Sequence, residues 1–387
     1  MARRWDKLGI PVAALALFAV AIAPFAVFRA NRIVAGETRS LFDALPMPGA
    51  LAVLAVVVAV AAVAVLRTPA GLRLVGSIAA IAAVLVGIGL APAHLVAAGN
   101  SYARVSPGSG VWLALFAFAL MAADALTRLR PPPLVRIGAL MLVAVAFALL
   151  LRSGLFDGLS VLKEYAGRAD SFRREAGQHV MLAMGSLAAA AIVGLPLGVA
   201  CHRSKRLREP LLGGLNIVQT IPSIALFGLL IAPLGWVAAH VPGAYAVGIR
   251  GIGAAPALIA LFLYSLLPVV ANTVAGLVGV PRAADDAARG LGMSDRQRLF
   301  QVELPLAFPV ILTGIRIVLV QNIGLATIAA LIGGGGFGVF VFQGVGQTAM
   351  DLVLLGALPT VALAFASAVV LDAAVELASP ARKGRPA

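Results

Sequence analysis

The residues from Val280 to Pro305, VPRAADDAARGLGMSDRQRLFQVELP, decide how this chain folds. They are polar and charged, yet they lie between two apolar runs, Ala255 to Leu277 and Ala307 to Leu331. Each run has the roughly 20 residues that a helix needs to cross a bilayer. The stretch is therefore a loop outside the membrane that joins two spans. Asp285, Asp286, Ala287, Ala288 and Arg289 favour a short helix with its acids early, where they suit the helix dipole. Gly292 breaks that helix, and Ser294 is placed to cap a second one running from Asp295 to Val302. Pro305 then stands where a fresh membrane helix starts, a position that proline tolerates. Two short helices about a glycine elbow make a compact knob. Small Ala287 and Ala288 allow a partner's groove to approach closely; an ordinary amphipathic connector is the alternative reading.

The rest of the 387 residues repeats the apolar pattern. Hydrophobic residues make up 61% and charged residues 12%, where a soluble globular protein carries roughly 25% charged. With a mean hydropathy of +1.02 there is too little polar surface to cover a water-facing globule. A formal charge of +14 could suit nucleic acid, but the basic residues are scattered between apolar runs, so no nucleic-acid partner is expected; the chain's surroundings are membrane lipid. The single cysteine, Cys201, excludes an internal disulfide framework, and four scattered histidines make no metal cluster. The reading is an all-α integral membrane protein of about ten transmembrane helices. The first five spans are Leu8 to Phe28, Met47 to Leu66, Leu74 to Pro92, Val111 to Leu126 and Ile137 to Leu151. The next five are His179 to Ala200, Leu211 to Ala232, Ala255 to Leu277, Ala307 to Leu331 and Val353 to Val375.

Placing the N-terminus inside puts 19 Lys and Arg on the inner side and 10 on the outer, with Arg316 within a span. Positive charge favours the cytoplasmic side, so both termini are expected in the cytoplasm. Residues 1–151 read as an accessory N-terminal bundle of five helices and 152–178 as a charged external segment. Residues 179–376 read as a five-helix core, and 377–387 as a cytoplasmic tail. Asp124 is the one acidic residue in the helices of the first bundle; it either snorkels or handles a proton.

The loop resembles the "EAA" coupling motif of binding-protein-dependent ABC importer permeases. Asp286, Ala287, Ala288, Gly292, Val302, Leu304 and Pro305 fall in its register, with Asp286 for Glu and Val302 for Ile as conservative departures. Further segments resemble the osmoprotectant branch of those permeases, which carries glycine betaine, choline and proline betaine. They are GLPLGV at Gly194 to Val199, QTIPSIALFG at Gln219 to Gly228, LFLYSLLPVVANT at Leu261 to Thr273, and GLGMSDRQRLFQVELPLAFPVILTGIR at Gly290 to Arg316. ATIAALIGGGGFG at Ala326 to Gly338 completes the set, so the similarity covers about half of the chain. It implies a MetI-like permease core, in a long form with extra N-terminal helices, lying in a bacterial cytoplasmic (inner) membrane. It also implies three partners: an ABC ATPase subunit seated on the knob, an extracytoplasmic solute-binding protein and a second permease protomer.

On that reading the chain is not an enzyme and holds no cofactor, because ATP is bound by the partner subunit. The four lysines follow Asp, Leu, Ser and Arg, so no Gly-Lys-Ser/Thr phosphate loop exists here. Gln219, Thr220, Pro222 and Ser223 interrupt the seventh span; Asn272 and Thr273 end the eighth; Gln321 and Asn322 lie in the middle of the ninth. Such groups need partners in hydrocarbon, either in another helix or along a translocation path. Arg316 snorkels, pairs, or shapes the inner part of the path. Tyr264 is the sole tyrosine inside a core span, thin for an aromatic cage, so selection is expected in the separate binding protein. The run Gly333 to Gly336 reads as a flexible outer turn. An ion-gradient-driven transporter is the alternative from another class; it would place an acid at mid-membrane, whereas Asp124, Asp372 and Glu376 lie toward span ends. A membrane enzyme would need an activated nucleophile or paired acids, which the sequence lacks. Permeases for other small solutes remain an alternative.

Overall fold

A computed structural model describes residues 5–32, 34–97, 99–246 and 248–379; the chain ends carrying Arg3, Arg4 and most of the expected tail lie outside these residues. The elements before the charged middle segment are α1 (Gly9–Ala21), β1 (Ala26–Arg29), β2 (Glu37–Arg39), α2 (Leu41–Ala44), α3 (Met47–Val65), α4 (Ala70–Leu95), β3 (Arg104–Pro107), α5 (Ser109–Leu129) and α6 (Pro133–Arg152). After it come α7 (Ser160–Ala166), α8 (Ala169–Arg203), α9 (Lys205–Thr220), α10 (Ser223–Leu229), α11 (Ile231–His240), α12 (Ala254–Val278) and α13 (Arg282–Gly290). The chain continues with α14 (Asp295–Arg298), a π segment Leu299–Glu303, α15 (Leu304–Ala326), a 3-10 segment Ile328–Ile332, α16 (Gly338–Gly346) and α17 (Met350–Ala378).

Among the described residues nine helices are long and apolar enough to cross a membrane, and α1 is a tenth, shorter apolar helix. The expected first span, Leu8 to Phe28, stops early. Its 13 helical residues rise about 20 Å, and Pro24, which has no amide to donate, precedes a turn into β1. There β1 pairs antiparallel with both β2 and β3 in a small sheet. These strands are three or four residues long, too short for an alternating pattern to be read.

The chain divides into two compact units. The first, residues up to Pro132 with Met141–Gly167, packs one core from Ala16 and Val20 of α1, Val57 of α3, Val84 of α4 and Phe118 of α5. Small residues set its helix spacing: a Cβ on Gly110 would lie 2.3 Å from the Ala19 carbonyl oxygen. Asp124 neither snorkels nor stands alone. It shares Arg73 (3.5 Å) and Arg128 (2.9 Å) with Asp6, and Arg73 is fully buried. Asp6 also accepts the amides of Leu8 and Gly9 at the start of α1. Burial pushes the Asp6 carboxyl up, but the Gly9 amide, Arg128 and Arg73 outweigh it and hold the group below the ordinary carboxylate range.

The second unit comprises Pro133–Leu140 and the chain from Arg168. The expected external segment 152–178 is divided at Arg168: its first part, with α7, packs into the first unit, and its last part is the start of the 35-residue α8. Helices α8, α12 and α15 form the centre. Gly194 and Gly198 of α8 meet Val269 and Thr273 of α12, and Gly314 of α15 meets Asn272; a Cβ at any of these glycines would lie under 3.0 Å from its neighbour. Close approach at small residues is how helices pack where hydrophobic driving force between them is weak.

Two span boundaries differ from the sequence reading. The expected seventh span, Leu211 to Ala232, is broken at Ile221–Pro222: α9 is a separate amphipathic helix with Lys205, Arg206 and Arg208 in its first turn, and the crossing segment is Ser223–His240. The expected ninth span, Ala307 to Leu331, starts at Asp295 and ends as a helix at Ala326.

Candidate functional site

The knob is built as two helices about an elbow. Pro281 precedes α13, and Gly292 turns the chain with φ of +75°, a left-handed conformation that costs a residue with a Cβ about 1–2 kcal/mol. Ser294 then closes a reciprocal capping box with Gln297: its hydroxyl accepts the Gln297 amide (3.3 Å) while the Gln297 side chain accepts the Ser294 amide (2.9 Å). The second helix does not stop at Val302 as its sequence suggests. It passes through the π turn Leu299–Glu303 directly into α15. Pro305 is thus the second residue of α15 rather than the start of a separate helix, and the wide turn before it accommodates the missing amide.

Asp286 and Ala287 face outward, Ala288 is buried under α13, and Gly292 is exposed. Val302 and Leu304 are half-buried at the base, and Leu299 and Leu304 pack with Leu277, Ala307 and Ile311. Leu291 is 80% exposed and Phe300 59% exposed. Large apolar side chains on a charged knob are what a partner surface would cover.

Arg298 is buried at 6% exposure and reaches Asp285 (2.6 Å), Asp295 (2.9 Å) and Glu303 (3.0 Å). Arg203, the last residue of α8, meets Glu303 at 3.3 Å, and Arg289 meets Asp285 at 2.9 Å.

The polar residues of the core separate into two sets. Tyr264 is buried, and its hydroxyl donates to the Ile221 carbonyl; Gln219 donates to the Tyr264 carbonyl at 2.8 Å. Both stitch the break before Pro222 to α12. Asn322 is fully buried and donates to Ser186 (2.8 Å) on α8 and Ser265 (2.9 Å) on α12. Thr273 is buried against Gly198, and Asn272 returns its amide to Pro268 at 2.8 Å and packs on Gly314. Gln219, Tyr264 and Asn322 thus bond from one helix to another, while Asn272 and Thr273 bond carbonyls of their own α12 and meet the neighbouring helices by packing. Thr220 and Pro222 are exposed, Ser223 is half-buried, and Thr220 bonds its own helix at Ile217.

Arg316 and Gln321 share a cleft of about 610 Å³ with Arg136, Phe365 and Asp372. Arg316 pairs with Asp372 of α17, which also holds Arg136 at 2.7 Å. The glycine turn is not a loose loop. Glu175 accepts the Gly336 amide (2.8 Å), Gln178 donates to the Gly334 carbonyl (2.9 Å), and His179 accepts the Phe337 amide (3.3 Å).

The family model described as the binding-protein-dependent transport system inner membrane component matches residues 181–384, over half of the chain. The chain belongs to that family. It is a membrane component of a transport system, with many membrane-crossing helices. Ahead of this match, a model described as the N-terminal domain of the ABC transporter permease YehY matches residues 6–162. The osmoprotectant import permease protein OsmW of Salmonella typhimurium is 45% identical over 195 residues, covering 50% of this chain and 84% of that protein. The glycine betaine/carnitine/choline transport system permease protein OpuCB of Bacillus subtilis is 36% identical over 188 residues, covering 49% of this chain and 79% of its own. A solved inward-facing MetNI methionine ABC transporter aligns with 55% of this chain and 99% of its own at 20% identity and a TM-score of 0.48.

Within this permease core the ion cluster around Arg298 is the group that sequence reasoning missed. Asp285 and Arg289, four residues apart, were a readable signal. Arg298 and Glu303 were not: five residues apart on a regular helix they point in different directions, and only the π turn brings them together.

Proposed function

We propose that this chain is the permease subunit of an ATP-driven importer for a quaternary ammonium osmoprotectant, such as glycine betaine or choline. A separate ATPase subunit docks on the knob formed by Asp286, Ala287, Ala288 and Gly292, and its closure moves α12 and α15 on either side. An extracytoplasmic binding protein selects and delivers the solute, and a second permease protomer completes the path. Both termini lie in the cytoplasm, which puts the knob on the side where ATP is available.

The observation that carries this reading is the elbow itself. It holds outward-facing small and acidic residues and an 80% exposed Leu291, on a loop whose ion pairs reach the end of α8 and the foot of α15. The similarity to OsmW, an osmoprotectant import permease, and to OpuCB, a glycine betaine/carnitine/choline permease, supports the solute class. The path runs past Arg316 and Gln321 in the cleft beside α17 and past Thr220, Pro222 and Ser223 at the helix break. Gln219, Tyr264, Asn272, Thr273 and Asn322 hold the surrounding helices in place. Residues 1–151 serve as an accessory bundle and 179–376 as the permease core.

Reconstitution of the chain with its ATPase subunit and binding protein tests the proposal. Labelled glycine betaine or choline should accumulate in proteoliposomes only when ATP and both partners are present. Accumulation by the chain alone under a proton or sodium gradient would overturn it.

A further inference from the structure

Gly292 and its neighbours give α13 a single backbone connection to α14, through a left-handed glycine with nothing within 4 Å of where a Cβ would sit. Such a joint bends easily and transmits little force. A second connection runs through side chains. The guanidinium of Arg298 touches the carboxylates of Asp285 on α13, Asp295 at the start of α14 and Glu303 at the end of the π turn, at 2.6, 2.9 and 3.0 Å. Glu303 is itself buried and also takes Arg203 from the end of α8. Arg203 reaches the Asp295 carbonyl as well, at 3.4 Å.

The chain of contacts is therefore Asp285, Arg298, Glu303, Arg203, and it links α13 to the feet of α15 and α8. Three arginines (Arg203, Arg289, Arg298) face three carboxylates (Asp285, Asp295, Glu303), so the cluster is neutral as built. The guanidinium's planar fork of several donors suits three carboxylates spread around it better than a compact ammonium does. The π turn is part of the device. It is the wide turn that puts Glu303 under Arg298, and the bond between them closes that turn against unwinding.

We infer that Arg298 is the positioning residue of coupling: it locks α13 to α15 and α8, so that a push on the exposed face of α13 moves both core helices instead of being absorbed at Gly292. The inference rests on the reading that α13 docks on an ATPase. A ligand-binding role for the cluster is disfavoured because every carboxylate in it already faces an arginine.

The test uses the full importer in proteoliposomes and reads the number of ATP molecules hydrolysed per solute imported, beside co-purification of the ATPase subunit. Arg298→Met should raise that number at least tenfold while the subunits still co-purify. Arg298→Lys, which keeps the charge but cannot fork, should fall between Met and wild type. Arg203→Gln, which removes only the α8 connection, should shift the ratio in the same direction by a smaller factor. An unchanged ratio in the assembled Arg298→Met and Arg298→Lys complexes overturns the inference. So does an Arg298→Lys complex that loses hydrolysis and uptake in equal proportion, which would mark a purely structural role. Failure of the docking reading shows separately, as wild-type uptake and co-purification in Ala287→Arg.

Discussion

Tyr264 of α12 donates its hydroxyl to the carbonyl of Ile221, the residue before the proline that breaks the neighbouring helix. In a continuous helix that carbonyl would accept an amide four residues on; at this break the phenol takes that place. Replacing Tyr264 with Phe removes the donor and leaves the shape. An unsatisfied buried carbonyl costs about 1–3 kcal/mol, so the purified Tyr264→Phe protein should unfold at a lower temperature than wild type. A smaller loss than from Tyr264→Ala, which also opens a cavity, is expected in the same melting experiment.

The buried cluster in the first unit predicts a larger effect. Arg73 sits between Asp6 and Asp124 and donates to the Ala64 carbonyl at 3.1 Å. Arg73→Met leaves two carboxylates facing only the half-exposed Arg128, a loss of about 3–5 kcal/mol. Thermal melting, or the rate of limited proteolysis in detergent, measures it.

Asp6 adds a pH dependence with a definite sign. Its folded pKa lies below the ordinary carboxylate value, so its contribution to stability is fully present above about pH 4. That contribution is lost as the pH falls through the lower, folded value. The melting temperature of Asp6→Asn should lie below wild type at neutral pH, and the difference should shrink on acidification.

The glycine turn makes a prediction of its own. Gly336 has φ of +86°, and a Cβ there would lie 3.0 Å from His179 Nδ1. Gly336→Val combines backbone strain with that clash and should destabilise the core by about 1–3 kcal/mol, visible as a lower melting temperature. Gly290→Ala, an exposed helical position with nothing within 4 Å, should be neutral or mildly stabilising by comparison.

Much of this architecture is legible in the residues, because long apolar runs in water have no alternative to a membrane or a core. Apart from the broken seventh span, the helices from Met47–Val65 to Met350–Ala378 lie on the apolar runs that announce them, and they extend beyond them mainly where polar or charged residues continue a helix past its apolar part. That is why α8 extends back to Ala169 and why the ninth crossing starts at Asp295. Pro222 announced a break, but a proline inside an apolar run does not say whether the helix kinks or ends; here Tyr264 and Gln219 stabilise an ending. In the knob, Gly292 and the Ser294 cap are local signals, and both act where local rules put them. Arg298 depends on a π turn and on residues from three elements, which no local pattern encodes. Asn322 was readable as a buried polar group in need of partners, but Ser186 and Ser265 become its partners only through the packing of α8 and α12 on α15.

The most direct measurement of the central claim is ATP-driven uptake by Ala287→Arg in the reconstituted importer. Ala287 faces away from the bundle, so the long charged side chain leaves folding untouched and the melting temperature should match wild type. The account predicts that uptake falls at least tenfold and that the ATPase subunit no longer co-purifies. Wild-type uptake by a folded Ala287→Arg protein would contradict it.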